Sequence, residues 1–257
     1  MINISSFSNP RFKYFKSLSK SRKRKKEGVF LMEGREELDL ASKAGLKPKV
    51  LAYTEAYMET DYILDKYDVA NTEIIQFSKA LFDELAYQQV PNNYIAIFES
   101  WSTDLEQING IGNIVVLEGL EKPGNLGAII RTCSAAGIVN VIVTESEIDL
   151  FNPNVIRNSR GALFNLNVAF TSNAQLLDFI KTKQYRIVAT ALDDSSKDYR
   201  TIKNAHTKAI IFGSESKGIS NFWIDNSNEK IIIPMSDKLD SLNLSVSVGI
   251  ILFSLKD

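Results

Sequence analysis

Asn125 and Arg131 stand six positions apart in the stretch Ile114–Gly137, IVVLEGLEKPGNLGAIIRTCSAAG, and are the first candidates for chemistry. Ile114 to Glu118 reads as a buried strand, Lys122-Pro123-Gly124-Asn125 as the turn after it, and Leu126–Ala136 as a helix of small residues. Arg131 interrupts an otherwise apolar face of that helix. A guanidinium set toward a core needs an anionic or strongly polar partner, because an unpaired buried charge is heavily penalised. With Asn125 it is expected to stand over the helix start, where free backbone N–H groups suit a ribose–phosphate unit.

Two more glycine-punctuated turns follow strand-like segments. Phe212-Gly213-Ser214-Glu215-Ser216-Lys217-Gly218 carries a carboxylate, and Ile233-Pro234-Met235 runs through Asp237–Asp240 to Ser241-Leu242-Asn243. In an open parallel sheet ligands sit beyond the carboxyl ends of the strands, so all three turns can face one crevice. Singly, each has a plainer reading. Glu215 suits a solvated or capping role, and Asn243 suits the N-cap of the helix after it.

The elements that must position these turns alternate strand and helix, the rhythm of a mostly parallel sheet. Strands are predicted at Ile114–Leu117, Asn140–Thr144, Arg186–Ala191, Lys208–Phe212 and Lys230–Pro234, and helices near Leu126–Ala136, Asn154–Arg160, Ala174–Thr182 and Leu244–Leu255. The last helix is apolar on nearly every side and must be covered by a core or by a second subunit. A smaller α/β unit precedes these elements. Its strands fall at Val29–Glu33, Val50–Tyr53, Ile74–Phe77 and Tyr94–Phe98, and its helices at Glu36–Lys43 and Lys79–Tyr87, with Ser78 as the N-cap of the second. The expected division is a domain over 1–100, a polar linker over 101–112 and a second domain over 113–257.

Composition narrows the function classes. The chain has 257 residues, 44% of them hydrophobic, with one cysteine and one histidine. It offers no disulfide framework and no His/Cys metal site, so Cys133 and His206 receive no role. No apolar run reaches membrane-spanning length, and the first residues lack a signal peptide's apolar core, so an intracellular, cytoplasmic protein is expected. The net charge of −1 hides nine Lys/Arg and no acid between Arg11 and Lys26, which leaves the rest of the chain at −10. Such a block, interleaved with Phe12, Tyr14 and Phe15, suits a polyanion whose bases can stack on aromatics.

Taken in order, Asn-x-Gly-Ala-x-x-Arg-Thr, Gly-x-Glu-x-x-Gly and Ile-Pro-Met with Ser-Leu-Asn-x-Ser-Val resemble the three motifs of the SpoU/TrmH family of RNA ribose 2′-O-methyltransferases, in the SPOUT superfamily. The resemblance covers Ile114–Leu255 and includes NPNVIRNSRGALFNL, similar to the family's substrate-facing helix and following strand. Asn9-Pro10 followed by Phe30-Leu31-Met32-Glu33-Gly34 resembles the L30e-like substrate-binding extension of many members. The resemblance implies a C-terminal trefoil knot, a topology otherwise nearly absent from proteins. It implies S-adenosyl-L-methionine bound at Thr190, Gly213, Ile233, Met235 and Leu242, and a catalytic set of Arg131, Asn125, Glu215 and Asn243 completed across a homodimer. RNA, ribosomal more than transfer RNA, is the implied substrate. Arg11, Arg22, Lys23 and Arg24 in the basic block and Arg157 and Arg160 in the substrate-facing segment are its candidate contacts.

Methyl transfer from a sulfonium is an in-line displacement that needs alignment and an activated nucleophile, not a metal. A guanidinium stays protonated, so Arg131 is expected to polarise the ribose hydroxyl and hold a neighbouring phosphate, with Glu215 steadying Arg131. Many relatives carry Asp-Pro where this chain has Lys122-Pro123, and commonly a methionine where it has Arg160. A dinucleotide-binding enzyme is disfavoured because no Gly-x-Gly-x-x-Gly follows the first strand. A non-catalytic RNA-binding protein on the same scaffold is the remaining alternative.

Overall fold

The computed structural model describes residues 2–57, 71–87, 94–202, 206–236 and 241–255. The chain divides into two compact units, one of Met1–Trp101 with Asp149–Arg157, the other of Ser102–Ile148 with Asn158–Asp257. The stretch that follows Trp101 is tied into the second unit. Leu105–Gln107 forms a 3₁₀ turn, and Ile108, 5% exposed, belongs to the apolar core with Ile114 and Val116. Its apolar side chains dock the segment.

In the first unit the strands β1 (Ile2–Ile4), β2 (Val29–Glu33), β3 (Val50–Tyr53), β4 (Glu73–Phe77) and β5 (Tyr94–Glu99) form a mixed sheet in the order β1-β4-β3-β5-β2. The basic block folds as two short helices, α1 (Pro10–Ser17) and α2 (Ser21–Glu27). Asn9 caps α1, its Oδ1 accepting the Arg11 amide at 2.8 Å, with Pro10 at the first helical position. Phe12 and Phe15 do not wait for bases: both are buried and meet Phe77 edge to face at 6.3 and 5.4 Å. Their three-residue spacing puts them on the inner face of α1. The unit is completed by α3 (Arg35–Lys43) and α4 (Lys79–Leu85), and by Phe151, which stacks on Phe30 at 5.0 Å.

The second unit is built on seven strands: β6 (Ile114–Glu118), β7 (Asn140–Thr144), β8 (Asn167–Thr171), β9 (Arg186–Thr190), β10 (Lys197–Asp198), β11 (Lys208–Phe212) and β12 (Glu229–Ile232). Their order is β10-β12-β9-β11-β6-β7-β8, and every pairing is parallel. Residues of β6, β7 and β11 are buried throughout, as strands covered on both faces must be. The helices are α5 (Pro123–Ala136), α6 (Pro153–Ser159, which begins in the first unit), α7 (Asn173–Thr182), α8 (Asn221–Asn226) and α9 (Leu244–Ser254). Beyond β12 the chain returns to lay α9 against α5. Leu244, Val248, Ile251 and Leu252 of α9 are buried, whereas Val246 and Phe253 are 48% and 49% exposed. Within one chain, therefore, this apolar helix is covered on one face only.

Candidate active site

The three turns meet at the carboxyl ends of the strands. After β6, Gly119 reverses the chain at φ 64°, Pro123 opens α5, and Asn125 sits in its first turn. After β11, Ser214 and Gly218 exchange two backbone hydrogen bonds of 3.1 and 3.0 Å, closing a narrow loop with Glu215 near its tip. Gly213 is required there, because a Cβ on it would lie 2.0 Å from the Gly218 carbonyl carbon. The third turn ends at Asn243; Asp237–Asp240 lie outside the described residues.

Asn243 fills both roles open to it in the sequence. Its Oδ1 accepts the Ser245 amide at 3.0 Å and so caps α9, while its Nδ2 donates to Glu215 Oε1 at 2.8 Å. The same oxygen accepts from Asn125 Nδ2 at 3.0 Å and from the Leu244 amide at 3.4 Å. Glu215 Oε2 pairs with Lys122. One carboxylate thus joins all three turns. Hydrogen bonding from Lys122 holds its pKa below the ordinary glutamate value, so Glu215 is an ionised acceptor and a poor general base.

Arg131 departs from expectation. It is exposed, and its guanidinium makes no hydrogen bond or ion pair with another described residue. The buried residues of α5 are Leu126, Gly127, Ile129, Ile130 and Cys133, a stripe that leaves position 131 on the outer side. Six residues from Asn125, at about 1.5 Å and 100° per residue, place it about 9 Å along the axis and about 240° around it. The two side chains therefore do not share the helix start, and Lys122, not Arg131, is the cation on Glu215.

A cleft of about 480 Å³ opens at the ends of β9, β11 and β12, and Thr190, Gly213, Ile233, Met235 and Leu242 all line it. Thr190 Oγ1 donates to the Ile211 carbonyl at 3.0 Å, tying β9 to β11 at its floor. Leu192, at the same cleft and 76% exposed, escaped the sequence analysis; an apolar residue two positions past a strand end carries little signal of its own. A smaller recess of about 160 Å³ lies on the other side of Glu215, walled by Leu120, Glu121, Lys122 and Asn125 and sharing Ser214–Ser216 with the cleft. Apolar walls (Ile231, Leu244, Ile251), loop backbone and one ionised carboxylate suit an adenosine attached to a sulfonium cation. Among the described residues no group of three or more His, Cys, Asp or Glu is placed to hold a metal, and no helix is long and apolar enough to cross a membrane.

The candidate RNA contacts separate by exposure. Arg22, Arg157 and Arg160 are exposed. Arg11 pairs with Glu73 at 2.9 Å, and Lys23 pairs with Glu27 at 2.7 Å while lying 5.8 Å from the Tyr14 ring centre. Arg24 is not available to phosphate. It is 2% exposed, its Nη1 donates to the carbonyls of Leu18 and Ser19 at 2.8 and 2.9 Å, and its Nη2 pairs with Asp149.

A parallel sheet with a cleft beyond the carboxyl ends of its strands, and three turns braced there by one carboxylate, is the architecture of an α/β ligand-binding enzyme. Residues 112–253 match the SpoU rRNA Methylase family, and residues 9–96 match the MRM3-like substrate binding domain. The chain belongs to the SpoU rRNA methylase family and is an S-adenosylmethionine-dependent RNA methyltransferase. Among its relatives is the Bacillus subtilis 23S rRNA (guanosine(2553)-2′-O)-methyltransferase RlmP, 24% identical over the whole length of both chains. Its fold matches the AdoMet-bound rRNA methyltransferase of Sinorhizobium meliloti with a TM-score of 0.89 at 26% identity, covering 98% of this chain and 96% of that one. An RNA 2′-O ribose methyltransferase structure matches with a TM-score of 0.85 at 32% identity over 99% and 98% of the two chains.

Proposed function

We propose that this enzyme methylates the 2′-hydroxyl of one ribose in ribosomal RNA, in the cytoplasm, as a homodimer whose C-terminal segment is knotted. The observation that carries the site assignment is the Glu215 carboxylate, which ties Asn125 and Asn243 together at the mouth of the cleft. When bound, S-adenosylmethionine supplies an electrophilic methyl group. Thr190, Gly213, Ile233, Met235 and Leu242 hold it, through apolar contact and backbone groups of the three turns. Asn125 and Asn243 orient the ribose against it. Because Arg131 stands apart from Asn125 on α5, the arginine that acts on this ribose is that of the second copy: it draws electron density from the hydroxyl and holds the adjacent phosphate, and the proton leaves to phosphate or water.

Two features of α9 and α5 support the dimer. Val246 and Phe253 leave an apolar face uncovered, and Arg131 faces outward, where a second copy can bring substrate to it. RNA is held by Arg11, Arg22 and Lys23 in the first unit, together with Arg157 and Arg160. Ribosomal RNA is favoured over transfer RNA by the full-length relation to RlmP and by the substrate-binding extension. That relative's guanosine is the first nucleotide to examine.

Ribose methylation mapped across total RNA, with and without the gene, tests this reading. Loss of a single 2′-O-methyl in the large-subunit RNA is expected, restored by the wild-type gene but not by Arg131→Lys. A changed site in transfer RNA overturns the substrate, and full restoration by Arg131→Lys overturns the role of bidentate arginine geometry.

A further inference from the structure

Lys122 stands in a place that local rules disfavour. It is the N-cap of α5 and makes no side-chain capping bond. Ser, Thr, Asp and Asn are preferred there, and a cation opposes the positive end of the helix dipole. What Lys122 gives in exchange is its ion pair with Glu215, 93 residues away in sequence. Glu215 Oε1 already serves three donors from two other turns, so Oε2 is the oxygen left to set the rotation of the carboxylate. An acid at position 122 would repel it.

We infer that Lys122 is a positioning residue of the methyl-transfer site, locking the Glu215 carboxylate in the one orientation that braces the Asn125 and Asn243 turns together. The inference rests on the catalytic reading above. Lys122 itself touches neither the cofactor cleft nor, in this reading, the reacting atoms; it acts through Glu215. It also keeps that carboxylate ionised to lower pH, so the brace survives acidification that would otherwise protonate it. Among the described residues, the other charged groups on these turns are Glu121, whose Oε1 accepts from Ser216 Oγ at 3.0 Å, and Lys217; the described part of α9 carries none, and Asp237, Lys238 and Asp240 of the third turn lie outside the described residues. Glu121 lies near enough to reinforce the charge on Lys122.

The test compares wild type with Lys122→Met and Lys122→Arg by two measurements. First, carbon-detected NMR titration of the Glu215 carboxyl needs no turnover. Its midpoint is expected to rise in Lys122→Met and to stay near wild type in Lys122→Arg. Second, the pH profile of kcat for RNA methylation is expected to show its acid limb moved upward in Lys122→Met, with kcat down roughly tenfold from misalignment and S-adenosylmethionine affinity changed less than twofold. An unshifted Glu215 midpoint, an unmoved acid limb, or failure of arginine to rescue overturns the inference. Should wild type leave RNA unmethylated while the titration behaves as expected, the catalytic reading fails and the Lys122–Glu215 coupling stands.

Discussion

Two ion pairs join distant parts of this chain in opposite surroundings. Arg24 and Asp149, 125 residues apart, are 2% and 7% exposed in the first unit. Lys122 and Glu215, 93 residues apart, are 67% and 25% exposed at the cleft of the second. Buried charges must be paired and hydrogen-bonded, so Arg24 spends its guanidinium on a carboxylate and two carbonyls and becomes part of the core. Exposed charges are screened and add little stability, so the second pair remains free to set the charge state of a site. The same chemistry serves architecture in one place and alignment in the other.

The largest effect expected from this contrast is on stability at the buried pair. Arg24→Met leaves Asp149 buried without a counterion and should lower the unfolding free energy by about 3–5 kcal/mol, read from urea denaturation. Arg24→Met with Asp149→Leu should recover most of the loss; a single-variant loss below about 1 kcal/mol would erase the distinction. Glu215→Gln should show the reverse pattern, with turnover down about a hundredfold and the urea midpoint nearly unmoved. An intact catalytic rate in that variant would make the brace dispensable. Gly213→Ala sharpens the picture of the loop itself. The added Cβ must displace the Gly218 backbone, so calorimetry should show S-adenosylmethionine binding weakened about tenfold or more.

Acid and salt provide the finest comparison. The folded pKa of Glu215 lies below its ordinary 4.5, so the support it gives is present above that value and fades as pH falls through the lowered one. Activity should therefore persist through pH 5, with the acid limb beneath the normal glutamate range. Raising salt to about 1 M shortens the Debye length to about 3 Å and should move that limb upward slightly, while leaving the buried pair's contribution intact.

Much of the second unit is legible in its residues because β6, β7 and β11 are unbroken apolar runs closed by polar or glycine turns. The first unit's strands are legible for the same reason, except β1, whose three residues carry too short a pattern, as do the two of β10; β8, at Asn167–Thr171, is a further strand not predicted from the sequence. Arg131 shows the limit of reading composition in place of periodicity. Leu126, Ile129, Ile130 and Cys133 stand at i, i+3, i+4 and i+7, the spacing of a buried stripe, and position 131 falls outside it. Arg24 shows a different limit. Nothing within a run of nine cations tells which one turns inward, since the deciding residue, Asp149, lies in the other half of the sequence. The three turns were readable as neighbours, but the bond that unites them was not, because Lys122 reads locally as an unfavourable cap.

The Arg24–Asp149 pair also has a consequence for the order in which this protein can be made. At about 5–20 residues per second, α2 leaves the ribosome roughly ten seconds before its counterion is synthesised. Until then the amino-terminal sheet must wait with a cation it cannot bury and with Phe30 lacking its Phe151 cover. A fragment cut after Trp101 would inherit that unfinished state permanently, so the amino-terminal unit is a product of a longer stretch of chain, through Arg157.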